Sequence, residues 1–358
     1  MSKRIAVLGV GGIGGSIGAY LIREGHDVTL IDQWSAHVEK MKSDGLRLTN
    51  IEEDFTVPVR AFHLSEVSNL REQFDIVYLS VKSYDTRWST YLIEPSLKPT
   101  GFILPAQNAL NDELVASIVG FSRTVGCVVT IGAGVYEPGH VVRTDPLTAH
   151  AFTVGELSGL ITPRAREVAD ALKALGPSEV TSNIWGARWS KMVVNCMGNA
   201  LAGLIGPAAS SLSKQQQDVA GLIRIVTGCE VVRVAQALGV EVEPINGIPA
   251  REFAEATSGE AVKALKARLE AAWGGLRLTP EQARWLGVPG RPSLLQDVIK
   301  GRRTEVDQLN GYVVTRGEEV EVATPMNRAI VGLMRQLEGG ELKPDPSNLE
   351  RLEPYLVK

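Results

Sequence analysis

The stretch RIAVLGVGGIGGSIGAYLIREGHDVTLID, Arg4 to Asp32, constrains this chain more than any other. RIAVLGV is short, apolar and β-branched, and predicts a buried strand. Gly9, Gly11 and Gly14 follow in G-x-G-x-x-G spacing, SIGAYLIREG has a helical pattern, and HDVTLID supplies a second strand. The three pieces make a βαβ unit. Its first glycine permits a tight turn, the second lets a pyrophosphate approach the backbone, and the third lets helix and strand pack closely. Amides at the helix N-terminus then face the phosphates. The loop Gly9-Val10-Gly11-Gly12-Ile13-Gly14 is therefore the expected dinucleotide cradle. A glycine-rich turn alone is common, but here strand, helix, second strand and terminal acid stand in order. At Asp32 a carboxylate would accept hydrogen bonds from an adenosine ribose and repel a 2′-phosphate, which points to NAD(H). If Asp32 is a plain turn residue and Arg4 or Lys40 supplies a cation, NADP(H) stays open.

At 358 residues the chain is long for one core and suits two domains. A net charge of −4 gives no electrostatic case for nucleic acid or an anionic membrane as partner. The basic, then apolar start resembles a signal peptide, but its glycines are regularly placed and no small-residue cleavage site follows. No apolar run reaches the ~18 residues of a membrane span. Three scattered cysteines fit neither a disulfide framework nor a zinc site, and five isolated histidines show no metal-ligand spacing. A cytoplasmic protein without a metal is expected.

Two later strands, FDIVYLSVK and GFILPAQN, end at Lys82 and Asn108, just past apolar runs, at the edge where open α/β sheets bind ligands. SRTVGCVVTIGAG leads to Gly132 and a turn that lets backbone approach a ligand. EPGHVVRTD and AFTVGEL read as a closing hairpin, and PRAREVADALKAL as an amphipathic helix. The domain boundary falls near Asn183, giving a nucleotide domain over 1–183 and a helical domain over 184–358. Helices are expected at Trp189–Ile205, Val219–Leu238, Ala250–Trp273, Ser293–Lys300, Glu305–Arg316 and Met326–Leu337. Thr304 is a plausible N-cap for a helix opening at Glu305. In WSKMVVNCMGNALAGLIG, Lys191, Asn195 and Asn199 recur every four residues along one face of an otherwise apolar helix. Without polar partners their burial would cost several kcal/mol, so something polar must meet that stripe.

Together these pieces resemble the ketopantoate reductase family (2-dehydropantoate 2-reductases). The likeness spans Arg4 to about Leu337 and is carried by GVGGIG, Lys82, Gln107-Asn108, KMVVNCMGN, SLLQD, TEVDQLNG and ATPMN. It implies a Rossmann-type doubly wound sheet followed by an all-helical, 6-phosphogluconate-dehydrogenase-like domain, with the active site between them. It further implies that Lys191 is the general acid, that Asn195, Asn199 and Ser293 bind substrate, and that Glu305 orients substrate and touches the cofactor. Lys82, Asn108 and Gly132 match cofactor-contacting positions, Asn108 also facing the reacting centre. A homodimer is a further expectation, since helical second domains often pair.

The chemistry suits these residue types. Hydride transfer to a ketone builds negative charge on oxygen, which a positioned ammonium stabilises and protonates. Desolvation lowers a lysine's pKa and eases that transfer, and asparagine amides orient substrate without adding charge. The rival for Lys191 is a snorkelling lysine whose head reaches water.

Several features depart from the family pattern. Asp32 stands near a position that is basic in many NADPH-using members, QNA replaces QNG, and Ala208-Ala209 replace an asparagine some members offer. The stretch from Ile245 to Arg291 is long and brings Phe253, Trp273 and Trp285, either as decoration or as the cap of a larger apolar pocket. The expected activity is thus interconversion of a 2-oxo acid or ketone with its secondary alcohol. The substrate is 2-dehydropantoate or a bulkier 2-oxo acid or aryl ketone. An NADH-sensing binding protein is the alternative of another class. A hydroxyacid- or opine-type dehydrogenase would need a catalytic histidine, and none lies near these motifs.

Overall fold

A computed structural model describes residues 3–272, 279–287 and 291–357. Trp273 and the side chain of Ala209 lie outside them. The chain divides into two compact units, Met1–Ile184 with Leu276–Gly290, and Trp185–Gly275 with Arg291–Lys358.

Unit 1 is built on the parallel sheet β5-β2-β1-β6-β7. Its elements in chain order are β1 (Arg4–Leu8), α1 (Gly12–Arg23), β2 (Asp27–Asp32), α2 (Ser35–Asp44), β3 (Leu46–Thr49), β4 (Asp54–Val57), β5 (Arg60–His63), β6 (Phe74–Leu79), α3 (Thr86–Ile93), β7 (Leu97–Pro105) and α4 (Asp112–Val119). β8 (Val125–Val129), β9 (Ala133–Glu137), β10 (His140–Arg143), β11 (Phe152–Glu156), α5 (Pro163–Leu172) and β12 (Ser178–Val180) complete them. The continuous apolar strands are those of a sheet covered on both faces. Ile5 and Val7 enter one core with α1 and α5, while Ala6 and Leu8 enter the other with α3 and α4. The period-2 alternation of a strand produces that division. Because β2 and β6 flank β1 on opposite sides, the chain reverses its winding at the carboxyl ends of β1 and β6, the place where such sheets bind ligands.

Two smaller sheets, β4-β3-β10-β9 and β12-β11-β8, complete the unit. They correct the expected hairpin. EPGHVVRTD pairs back on β9 across the Pro138-Gly139 turn, whereas AFTVGEL pairs antiparallel with β8 and parallel with β12. Pro-Gly is itself a turn signal, and Gly139 takes the positive φ of +76° the turn needs. The two segments therefore belong to different sheets.

Unit 2 is helical: α6 (Ile184–Ile205), α7 (Lys214–Ala237), α8 (Ala250–Glu255) and α9 (Gly259–Ala272) come first. After α10 (Pro280–Leu286), which belongs to unit 1, follow α11 (Ser293–Ile299), α12 (Asn310–Glu319) and α13 (Pro325–Glu338). α7 opens on a capping box in which the Ser213 hydroxyl accepts from Gln216 N–H and the Gln216 side chain accepts from Ser213 N–H. Glycines allow close helix contact: Gly203 on α6 faces Met334 and Val298, and Gly228 on α7 faces Met197. Two helix expectations change. The helix over Ala250–Trp273 breaks at Ala256–Ser258 into α8 and α9, and α12 opens at Asn310, not at Glu305. Thr304 makes a local turn instead, its hydroxyl accepting from Val306 N–H at 3.3 Å. Among the described residues no helix is long and apolar enough to cross a membrane.

Candidate functional site

In unit 1 the chain leaves β1 at Leu8 and turns at Gly9, whose φ is +93°. A Cβ on Gly9 would lie 2.7 Å from the Val81 nitrogen, so the turn after β1 rests directly on the turn after β6. A Cβ on Gly14 would overlap the Gly9 carbonyl oxygen, and one on Gly12 the Ala133 carbonyl. Gly11 differs: among the described residues, a Cβ there would meet nothing within 4 Å. The first and third motif glycines are thus needed for packing, and the second faces open space. Gly11 is the N-cap of α1 and no side chain caps that end. The first amides of a helix lack intrahelical partners. In the loop from Gly9 to Gly14, the Gly9 amide donates to the Ile31 carbonyl and the Val10 amide to Asp32, so the amides of Gly11, Gly12, Ile13 and Gly14 are the main-chain donors that suit an anion.

Side chains clamp this loop from behind. The Asp32 carboxylate accepts from Val10 N–H at 2.6 Å with one oxygen and from Trp34 N–H at 2.8 Å with the other. The Val10 carbonyl lies 3.0 Å from His37 Nε2, and Gly139 N–H donates to His37 Nδ1 at 2.8 Å. Because Nδ1 accepts, His37 is the neutral tautomer with its proton on Nε2. Burial holds its pKa below the ordinary 6.5, outweighing the pull of the Asp32 charge. Both ends of the Val10 peptide are thereby fixed. The two cations considered as partners for a 2′-phosphate are engaged elsewhere: Lys40 pairs with Asp44 at 2.5 Å and Arg4 with Asp27 at 3.8 Å.

Lys82 and Asn108 lie in loops after β6 and β7 that are tied together. The Ser83 hydroxyl donates to the Asn108 carbonyl at 3.1 Å, Asn111 Nδ2 donates to the same carbonyl at 2.8 Å, and Gln107 Nε2 donates to the Val81 carbonyl at 2.7 Å. Ala109, where QNG would put glycine, has φ +66°. Gly132 N–H donates to the Asp145 carboxylate, and its carbonyl accepts from Thr144 N–H at 2.9 Å. The Gly132 amide is thus committed to holding its own loop, which lies against Gly12 through Ala133. The aromatic residues of the long segment differ: Phe253 is fully buried on α8, while Trp285 is exposed and its Nε1 donates to the Asn50 carbonyl at 2.8 Å within unit 1.

In unit 2, α6 carries Lys191, Asn195 and Asn199. Met192, Val193, Cys196, Met197, Ala200 and Leu201 form its buried side, while Lys191, Gly198, Asn199 and Ala202 are half-buried. Asn199 Nδ2 donates to the Ser293 hydroxyl at 3.2 Å, joining two expected substrate residues 94 positions apart. Asn195 and Glu305 are buried, at 5 % and 3 % exposure. Glu305 sits on the turn before α12, where its carbonyl accepts from Leu309 N–H at 3.0 Å.

A buried network behind α6 was not anticipated. Glu230 on α7 accepts from Met326 N–H at 2.8 Å, from Asn327 N–H at 2.9 Å and from Asn327 Nδ2 at 2.7 Å, capping the start of α13 from another helix. Asn310 Nδ2 donates to Asn327 Oδ1 at 2.9 Å and to the Cys196 carbonyl at 3.3 Å. A carboxyl group that accepts from the Asn327 side chain orients both amides, and the chain ends on α6 between Asn195 and Asn199. Burial pushes the Glu230 carboxyl above the ordinary 4.5 despite these donors. An acid inside the run VTGCEVV was the available signal for it. His37 was missed with its helix α2, whose buried face is His37, Val38 and Met41.

Family models for ketopantoate reductase PanE/ApbA and for its C-terminal region match residues 5–159 and 183–338. The chain belongs to the ketopantoate reductase family. It is accordingly an oxidoreductase acting on CH–OH groups, with a small-molecule substrate. The 2-dehydropantoate 2-reductase of Archaeoglobus fulgidus is 27 % identical over 347 residues, covering 94 % of this chain and 99 % of the relative. That of Halobacterium salinarum is 29 % identical over 338 residues, covering 93 % and 98 %. Among solved structures, a 2-dehydropantoate 2-reductase from Geobacter metallireducens GS-15 aligns with TM-score 0.74 at 25 % identity, covering 93 % and 99 %. A D-mandelate dehydrogenase solved with NADH and anilino(oxo)acetate aligns with TM-score 0.75 at 23 % identity over 94 % and 99 %, a likeness of fold.

Proposed function

We propose that this ketopantoate reductase family member reduces a 2-oxo acid to its 2-hydroxy acid with a nicotinamide dinucleotide, Lys191 being the general acid. The alignment of Lys191, Asn195 and Asn199 along α6, with Asn199 bonded to Ser293, carries the proposal. The dinucleotide, when bound, supplies the hydride. The loop from Gly9 to Gly14 binds its phosphates through the main-chain amides of Gly11 to Gly14, the Gly9 and Val10 amides being held by Ile31 and Asp32, and Lys82, Asn108 and Gly132 line the remainder of that half. Lys191 stabilises the oxygen that gains charge and gives it a proton. Asn108, Asn195, Asn199 and Ser293 orient the substrate, and Glu305 orients both substrate and cofactor. In oxidation Lys191 acts as the base. Lys191→Ala should lower kcat by about 10²–10⁴ with dinucleotide affinity retained. Unchanged turnover in that variant would refute the role.

NAD(H) is the proposed coenzyme. A carboxylate at the end of β2 repels a 2′-phosphate, the following residues Gln33-Trp34-Ser35-Ala36 carry no cation, and Arg4 and Lys40 are paired with other acids. Comparing kcat/KM for NADH and NADPH tests this, and a strong preference for NADPH would overturn it.

A further inference from the structure

His37 is a titratable side chain at 1 % exposure, and no step of the proposed chemistry uses it. Its Nε2–H donates to the Val10 carbonyl at 3.0 Å and its Nδ1 accepts from Gly139 N–H at 2.8 Å. The exposed Trp34 indole stacks on the ring, with centroids 5.5 Å apart and planes 20° from parallel. Any donor and acceptor would satisfy a buried imidazole. These two belong to the cradle and to the hairpin beside it.

The Val10 carbonyl and Gly11 N–H are parts of one peptide unit, which is planar and trans, so the two groups point in opposite directions. Fixing the carbonyl on His37 therefore fixes the aim of Gly11 N–H, the first of the donors at Gly11 to Gly14. Gly139 forms the turn between β9 and β10, and β9 begins at Ala133, whose carbonyl would overlap a Cβ on Gly12. His37 thus joins the loop before α1 to the hairpin that lies against the start of α1.

We infer that His37 is a positioning residue for dinucleotide binding: seated neutral between Val10 and Gly139, it aims the Gly11 amide at the pyrophosphate, and a proton on Nδ1 releases that aim. The inference rests on the dinucleotide reading of the Gly9–Gly14 loop. A proton on Nδ1 would set one N–H against another, so the ring could not keep both contacts. Among the described residues, the charges on the elements around it are Asp32 on β2, Lys40 on α2, and Glu137 and His140 beside the Gly139 turn. Asp32 favours protonation while it holds the Val10 and Trp34 amides, Lys40 pairs with Asp44, and Glu137 pairs with His140.

The test titrates NADH and NADPH into the full chain by calorimetry from about pH 5 to about pH 8, for the wild type, His37→Gln and His37→Phe. Wild-type affinity should fall as pH drops through the depressed pKa of His37, by up to about tenfold per pH unit. His37→Gln keeps a donor and an acceptor but does not titrate, so it should lose the acid slope and bind nearly as well as wild type near neutrality. His37→Phe keeps a ring against Trp34 without either polar contact. It should bind about tenfold more weakly throughout, with kcat at saturating dinucleotide retained. His140 is present in all three proteins, so its titration is common to them. Either variant decides the slope if the other fails to fold. A wild-type affinity independent of pH, an acid slope that persists in a variant, or normal affinity in His37→Phe overturns the inference and leaves the loop's assignment standing. Wild-type protein that binds neither dinucleotide at any pH is the separate result that removes both.

Discussion

The cradle in unit 1 and the α6 face in unit 2 are built on opposite plans. The cradle presents main chain: its proposed ligand-facing groups are the amides of Gly11 to Gly14, and the side chains near it, Asp32, His37 and Asp145, hold the backbone. The α6 face presents side chains on a regular helix, and its backbone is steadied from a distance by Asn310, Asn327 and Glu230. A main-chain site is specified by atoms that must be absent, and a side-chain site by atoms that must be present. The two plans fail differently when altered.

The largest effect is expected where an atom is added to the cradle. Gly14→Ala sets a methyl group onto the Gly9 carbonyl, two pieces of backbone with no freedom to part, and should cost about 4 kcal/mol or more. Gly11→Ala adds the same methyl group to open space at φ −72°, so its Tm should stay near wild type while dinucleotide affinity falls about tenfold or more. Thermal melting with calorimetric binding separates the two. A Gly11→Ala protein that binds dinucleotide normally would break the idea of a main-chain cradle.

Next comes removal of an atom behind α6. Glu230→Gln keeps the size of the side chain but turns an N–H toward donors on Met326 or Asn327. One stranded buried donor costs about 1–3 kcal/mol, read as a lower urea midpoint. Retained stability would mean that the network is not anchored at Glu230.

The pH responses of the two clamps sharpen the contrast, because their signs are opposite. His37 is held below 6.5, so its contribution is present above that value and is lost as pH falls through the depressed pKa. Glu230 is held above 4.5, so its contribution is complete below that value and is lost as pH rises through the raised pKa. In melting curves from about pH 4 to about pH 8, His37→Gln should flatten the acid limb and Glu230→Gln the limb above 4.5. Identical slopes in wild type and variants would refute both assignments.

What the sequence revealed follows the same division between local and distant. The β1–α1–β2 unit was legible because its glycines, strands and helix are contiguous, and the α6 stripe because its period lies within one helix. The sheet β4-β3-β10-β9 was not, since β10 pairs in parallel with β3 some ninety positions earlier and each strand is only four or five residues long. The hydrogen bond from Asn199 to Ser293 and the cap that Glu230 gives α13 likewise cross long separations that no local pattern records. The turn at Thr304 misled for a related reason. Its capping chemistry is real, but the non-helical backbone of Leu309, φ −100° and ψ −98°, separates that turn from α12, which begins at Asn310.

The smallest expected effect lies where the family pattern and this chain part. Ala109 occupies a left-handed conformation, φ +66°, that places its Cβ too close to neighbouring backbone and costs about 1–2 kcal/mol. It persists because the flanking loop is tied down: Asn108 accepts from Ser83 and Asn111, and Gln107 holds the Val81 carbonyl. Ala109→Gly would release that strain but give the unfolded chain more freedom, a loss of about 0.4–1 kcal/mol. The net gain is then about 0–1.6 kcal/mol, visible as a small rise in Tm. Since Ala109 adjoins Asn108, any change in KM for dinucleotide should be modest and independent of the substrate used. An Ala109→Gly protein less stable than wild type would show that the methyl group packs well enough at 8 % exposure to outweigh its backbone strain. The loop would then be held by side-chain contact, as α6 is, and the division between the two plans would not extend to this edge of unit 1.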